Sequence, residues 1–196
     1  MALLALASSL TAGGNRNLRI RPGGDRRATL RWSMATPLDL EASRAIPVEV
    51  EAAFDRLLPR PLTDLMSRRY GLLPPIRAVR DQVGPWGEVG QTRTIVLTDG
   101  GTMREELVEV VRPDHFAYRL TDVTGALAPL VTHVEGRWSF TPAGTGVRVT
   151  WSWRLHPRTP YAARVLPLVG RMWRGYARQS LEQVSDVLVE ATLTPR

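Results

Sequence analysis

An α+β domain, in which a curved antiparallel sheet of about six to seven strands wraps on a long C-terminal helix, is the fold class that the sequence predicts. Three observations carry it. Val165, Val169, Met172, Trp173, Tyr176, Leu181, Val184, Leu188 and Ala191 recur every three or four residues, which places them on one helical stripe. Val149, Trp151, Trp153 and Leu155 alternate strictly with Arg148, Thr150, Ser152 and Arg154, as in a strand with one buried and one wet face. Turn sequences at Asp99-Gly100-Gly101, Pro113-Asp114 and Pro142–Gly146 separate extended runs at hairpin distances.

Taken in order, Leu38–Ile46 alternates loosely and reads as a first strand. Pro47 opens a helix over Val48–Leu58, with Val50, Phe54 and Leu57 on one side. Pro59 and Pro61 break it, and a second short helix is expected over Leu62–Arg69. Strands follow at Ile76–Val83, Gly90–Thr98, Met103–Val111, Phe116–Val123, Leu130–Phe140 and Val147–Leu155. Their expected inner faces carry Phe116, Tyr118 and Leu120, then Val134, Trp138 and Phe140. Thr159-Pro160, a capping hydroxyl before a proline at the first helical position, starts the last helix. From Leu168 to Ala191 that helix would be roughly 36 Å long.

Length and composition bound the function. A chain of 196 residues holds one domain and can bury a core without staples. It has no cysteine, which excludes disulfides and thiolate metal sites and permits a reducing cytoplasm. The histidines His115, His133 and His156 are not spaced as a metal pair along one helix or strand, so no metal and no cofactor is expected. His133 is expected on a wet face, and His115 and His156 in loops at strand ends. No apolar run reaches the roughly 18 residues of a membrane span, so no integral membrane contact is expected.

The net charge of +7 suggests nucleic acid, but its distribution argues against it. Residues 1–34 hold Arg16, Arg19, Arg21, Arg26, Arg27 and Arg31 against Asp25 alone, which is five of those seven charges. This stretch is Gly- and Arg-rich without periodicity and is read as a disordered extension. Its apolar run Ala2–Leu10 has the composition of a secretory segment. The arginines follow it where they should precede it, so export is not expected. The domain is placed at residues 35–192, with a tail at 193–196. An arm binding nucleic acid or acidic lipid remains the reading from another class.

The order of elements and several residues resemble the helix-grip superfamily that includes START lipid-transfer domains, the birch-pollen allergen type and the bacterial polyketide cyclase/dehydrase group. The resemblance rests on Ile46-Pro47-Val48-Glu49-Val50 through Phe54, Leu73-Pro74-Pro75-Ile76, Gly84, Gly90 with Arg93, Glu105 or Glu106, Arg112-Pro113 and Tyr118. It continues through Gly136-Arg137-Trp138-Ser139-Phe140-Thr141-Pro142, Gly146 to Trp151 and the terminal helix. It covers about residues 36–192. It implies a hydrophobic cavity between the sheet and the terminal helix that takes lipid- or polyketide-like molecules.

The usual catalytic signatures are absent: no nucleophile elbow, phosphate loop, HExxH or dinucleotide fingerprint. A cyclase or dehydratase would need a pocket acid or base. Glu105, Tyr118, Asp122 and Arg93 are the candidates, and one of the adjacent Glu105 and Glu106 must point inward. Set against this, the inward carboxylate pairs with Arg93, and Tyr118 is an ordinary core tyrosine. Arg93, Tyr118, Trp138, Trp151, Trp153, Met172, Trp173 and Tyr176 are the expected ligand contacts, although a plain core would use the same aromatics. Gly170 and Gly175 fit a close approach to the helix, or simple packing. Arg171, Arg174 and Arg178 read as a solvated face, with Glu182 one turn from Arg178.

The leading expectation is a cytoplasmic carrier of a small hydrophobic molecule, acting as a monomer or weak homodimer and not as an enzyme. The alternative is a polyketide cyclase or dehydratase using Glu105 or Tyr118.

Overall fold

The computed structural model describes residues 36–193. The expected N-terminal extension and the end of the C-terminal tail lie outside them. The elements run β1 (Leu38–Ile46), α1 (Val50–Leu57), α2 (Leu62–Leu65), β2 (Ile76–Arg80), β3 (Thr92–Leu97), β4 (Thr102–Val111), β5 (His115–Thr121), β6 (Val131–Ala143), β7 (Gly146–Pro157) and α3 (Pro160–Leu193). The seven strands form one sheet in the order β1-β7-β6-β5-β4-β3-β2, and every neighbouring pair is antiparallel.

Six of the seven strands are joined by direct connections, and β1 closes the far edge against β7. The two short helices therefore bridge from one edge of the sheet to the other. Boundaries shift where local backbone decides. β2 stops at Arg80 because Asp81 takes the left-handed φ of 59°. α2 is only one turn long, since Tyr70 and Leu73 pair in an isolated bridge. The chain forms no repeating helical bonds beyond Met66.

α3 begins as its sequence requires: Thr159 Oγ1 accepts from the Ala162 N–H at 3.0 Å. It then continues through Pro167 for 34 residues, roughly 51 Å. The proline is tolerated because it is exposed near the start, and its lost bond faces solvent. The buried stripe is broader than the sequence suggested. Ala162, Leu166, Ala177, Ser180 and Gln183 join it, while Val165 is only half-buried. Against β1 the helix packs closely at Gly170, where a Cβ would come 2.8 Å from Leu40 Cδ2. Gly175 gives way to the Tyr70 ring in the same manner.

The inner face of the sheet and α3 enclose the core, and the outer face is a mosaic of ion pairs. Arg112 clamps Asp55 of α1 through two bonds of 2.7 Å. Arg154 reaches Asp39 at 2.7 Å and Arg137 reaches Glu109 at 2.8 Å. The arginine bonds hold the carboxyls of Asp55 and Asp39 below their ordinary value, against a small opposing effect of burial. Glu182 lies 3.9 Å from Arg44 of β1, not against Arg178 as the sequence suggested.

Leu166 is 0 % exposed and Leu168 61 % exposed, two residues apart on α3. Leu166→Ala should lower unfolding stability by about 2–5 kcal/mol in a urea melt. Leu168→Ala should stay within about 0.5 kcal/mol. Equal effects would place the buried stripe of α3 elsewhere.

Candidate functional site

A cavity of about 210 Å³ lies between the inner face of the sheet and α3. Leu57 from α1 and Leu62 and Leu65 from α2 close one end of it. The sheet contributes Trp138, Trp151 and Trp153, and the helix contributes Met172, Trp173 and Tyr176. All eight residues expected as ligand contacts reach this space, and so does Glu105. Strand parity explains the grouping: β5, β6 and β7 turn alternate side chains inward, and their registers bring Tyr118, Gly136 and Trp153 into one row.

The aromatic wall is a connected cluster. Trp138 and Trp151 stack with centroids 4.9 Å apart and planes within 6°. Trp151 also meets Trp153 edge-on at 5.7 Å and leans on Trp173 of α3 at 5.2 Å. Such contacts add about 0.5–1.5 kcal/mol each beyond the area they bury.

Few polar groups enter this apolar space, and each has a defined role. The Tyr118 hydroxyl accepts two hydrogen bonds, from Trp151 Nε1 at 2.7 Å and Trp153 Nε1 at 2.8 Å. With its lone pairs so engaged, the phenol has only its own proton left to give. Burial and the Glu105 charge push its pKa upward, against the pull of the two indole bonds and Arg93, so it remains protonated. Burial likewise pushes Tyr176 upward. Trp173 Nε1 is buried and makes no hydrogen bond with any described residue. Tyr118 and Trp173 therefore present donors on the aromatic side of the cavity.

On the neighbouring strands β3 and β4, Arg93 Nε donates to Glu105 Oε2 at 2.5 Å, and both residues are nearly fully buried. Arg93 Cζ also sits 3.8 Å over the Trp86 ring, a cation–π contact in a dry setting. Burial pushes the Glu105 carboxyl above its ordinary value, while the Arg93 guanidinium pulls it back. Glu105 is the inward member of its pair and Glu106 is exposed.

Other candidates fall elsewhere. Asp122 is exposed in a left-handed turn at φ 48° after β5 and does not line the cavity. Arg171, Arg174 and Arg178 are exposed, as a solvated face requires. His115 and His156 are not loop residues: they belong to β5 and β7, because each strand extends further than its apolar alternation. His133 faces outward but is only partly exposed, covered by His156 across the ladder. Two contributors were not foreseen. Trp86 sits in a Gly-Pro loop that gave no periodic signal, and Gly136 leaves the space into which the Tyr118 ring fits.

Comparison with known proteins agrees with this architecture. The family model described as polyketide cyclase / dehydrase and lipid transport matches residues 37–189. No curated protein matches the sequence. Among solved structures, a point mutant of norcoclaurine synthase from Thalictrum flavum, in complex with a transition state analogue, superposes with a TM-score of 0.63. It is 14% identical, over 80% of this chain and 97% of that one. The ginseng major latex-like protein 151 from Panax ginseng gives a TM-score of 0.57 at 14% identity, over 77% of this chain and 97% of that one. Ara h 8.0201 also gives 0.57 at 14% identity, over 79% and 99%. These likenesses show the helix-grip fold.

A carboxyl whose pKa is raised in the folded state keeps its proton there to a higher pH than in the unfolded chain. The stability this gives is complete below the ordinary carboxylate pKa of about 4.3. It is lost as pH rises through the folded value. Arg93→Met removes the opposing charge, so its stability should fall more steeply than wild type between about pH 4.5 and 8. At the upper end the deficit should reach about 3–5 kcal/mol, and Arg93→Met/Glu105→Leu should recover most of it. Parallel pH profiles in urea melts would contradict the coupling.

Proposed function

The chain belongs to the polyketide cyclase / dehydrase and lipid transport family, and we propose that it binds and carries a small, mostly hydrophobic molecule bearing a hydrogen-bond-accepting oxygen. Proteins of this fold family commonly bind hydrophobic ligands. The observation that carries the finer reading is the Tyr118 hydroxyl, held by two indole N–H groups at 2.7 and 2.8 Å so that it can only donate toward the cavity. The unpartnered Trp173 Nε1 supports the same reading. A buried donor without a partner costs roughly 1–3 kcal/mol, which a ligand carbonyl or hydroxyl oxygen would recover.

The apolar walls supply affinity and these donors supply orientation, as is usual in small-molecule sites. Trp138, Trp151, Trp153, Met172, Trp173 and Tyr176 give broad contact area, and the Arg93–Glu105 pair adds a charged patch beside them. The protein acts as a monomer or weak homodimer in the cytoplasm on this reading, which the cysteine-free sequence permits.

A second reading, a cyclase or dehydratase acting on a polyketide-like substrate, is favoured by Glu105. Its buried carboxyl, with a pKa raised by desolvation, is suited to proton donation. Glu105→Gln keeps a hydrogen-bond acceptor for Arg93 but costs stability, and on the folded protein it separates the two: a carrier keeps its affinity, whereas an enzyme binds substrate but loses turnover.

No helix among the described residues is long and apolar enough to cross a membrane.

Displacement of a fluorescent hydrophobic dye by a polycyclic ketone and by its parent hydrocarbon tests the carrier reading. Tyr118→Phe should weaken the ketone about tenfold, or about 1.4 kcal/mol, and leave the hydrocarbon unchanged. Failure of both to displace the dye, or equal weakening of both, would overturn the donor assignment.

A further inference from the structure

On the face of the sheet away from the cavity, three metal-ligating side chains converge from two strands. His133 and His156 are direct partners across β6 and β7, and Glu135 is two residues along β6 on the same side. The imidazole rings stack with centroids 3.9 Å apart and planes within 14°. One ligand atom of each residue lies within 4.8 Å of the others. We propose that His133, Glu135 and His156 form a binding site for one divalent transition-metal ion of the zinc type.

The distances suit such an ion. His156 Nε2 lies 3.3 Å from Glu135 Oε2, and His133 Nε2 lies 4.0 Å from Glu135 Oε1. Ligands about 2.0–2.1 Å from a tetrahedral centre stand roughly 3.3 Å from one another. The His156–Glu135 pair already matches, and the His133–Glu135 and His133–His156 pairs, each within 4.8 Å, close as the stacked His133 ring turns to aim Nε2 at the ion. Two imidazoles and a carboxylate leave the fourth position to water.

The arrangement around the ligands points the same way. Thr132 Oγ1 lies 3.2 Å from the His156 carbonyl, to which it donates, and 3.0 Å from His133 Nδ1. With its proton so placed, the threonine oxygen accepts from Nδ1–H. That bond fixes the tautomer in which His133 Nε2 carries a free lone pair, as an outer partner does for a metal-bound histidine. His156 Nε2 is buried and makes no hydrogen bond with any described residue. A buried nitrogen left without a bond requires an explanation, and an ion supplies it.

His115 Nε2 is likewise buried without a hydrogen bond to any described residue, and its contrast lies in its carboxylate. His115 Nε2 also approaches a carboxylate, Glu109 at 3.2 Å, but Arg137 already bonds that same oxygen at 2.8 Å. At the proposed site the nearest competing cation is Arg119, 4.0 Å from Glu135 Oε1. Arg154, the cross-strand neighbour of Glu135, is engaged by Asp39. These two guanidiniums moderate the affinity.

The sequence reading sought metal pairs along single elements and expected none. Here the ligands come from two strands and meet only through their register. An ion at this place would fasten the start of β6 to the end of β7. The preceding loop carries Ala126 and Leu127 into the cavity wall, and α3 begins three residues after β7.

Calorimetric titration of the full chain with Zn²⁺ should give one equivalent, and Co²⁺ should give the visible absorption of a low-coordinate nitrogen–oxygen site. His133→Ala and His156→Ala should each abolish both signals. Thr132→Val should weaken binding about tenfold, and His115→Ala should change nothing. Zn²⁺ should raise the melting temperature of the wild type and of His115→Ala, and not that of His133→Ala or His156→Ala. An NMR titration of the wild type needs no variant: the ring signals of His133 and His156 should shift while those of His115 stay. Absence of stoichiometric binding, shifts at all three histidines, or binding that survives the loss of both His133 and His156 would overturn the site.

Discussion

One phenol oxygen organises the inside of this molecule. Tyr118 of β5 accepts the indole N–H groups of Trp151 and Trp153 from β7, across the intervening β6. The bond is feasible because β6 places Gly136 in that row, where any Cβ would collide with the tyrosine ring. A buried and a half-buried indole thereby satisfy their donors, and their planes are fixed. Trp138 and Trp173 then pack on rings that cannot turn. The wall that faces α3 is therefore held by hydrogen bonds as well as by contact, and it does not rely on filling the space beside it. A rigid aromatic wall opposite a long helix is the physical reason that a cavity of about 210 Å³ persists there.

The two faces of the sheet divide the labour. The inner face gathers the apolar and aromatic residues, with the Arg93–Glu105 pair as a buried ion pair among them. Isolated in that setting, the pair is stable only as a pair, since either member alone would be a buried charge. The outer face carries exposed arginine–carboxylate bridges, each worth no more than about 1 kcal/mol. They suit a chain whose basic residues are all arginine, because the guanidinium fork reaches two carboxylate oxygens at once.

The sequence made some of this legible and concealed the rest for identifiable reasons. The strict alternation in β7 and the stripe of α3 reflect long, half-buried elements, and these are the signals that periodicity transmits best. The inner residues of β5, β6 and β7 followed directly from parity. Ends of elements did not, because single backbone conformations such as that of Asp81 decide them. The partners of Tyr118 were hidden since they depend on cross-strand register and on a glycine whose value lies in what it lacks. His133 and His156 stand far apart in the chain, and only the register of the β6–β7 ladder, regular from His133 to Ala143, sets them opposite one another. Whether the aromatics surround a space or fill it is a matter of fractions of an ångström, which no residue pattern encodes.

Native mass spectrometry of the purified full chain, followed by solvent extraction and identification of what is released, tests the central claim most directly. The account predicts a discrete extra mass of a few hundred daltons that leaves on extraction and proves to be an apolar molecule carrying at least one carbonyl or hydroxyl oxygen. A bare protein mass, joined to failure of any hydrophobic oxygen-bearing compound to bind on incubation, would contradict it.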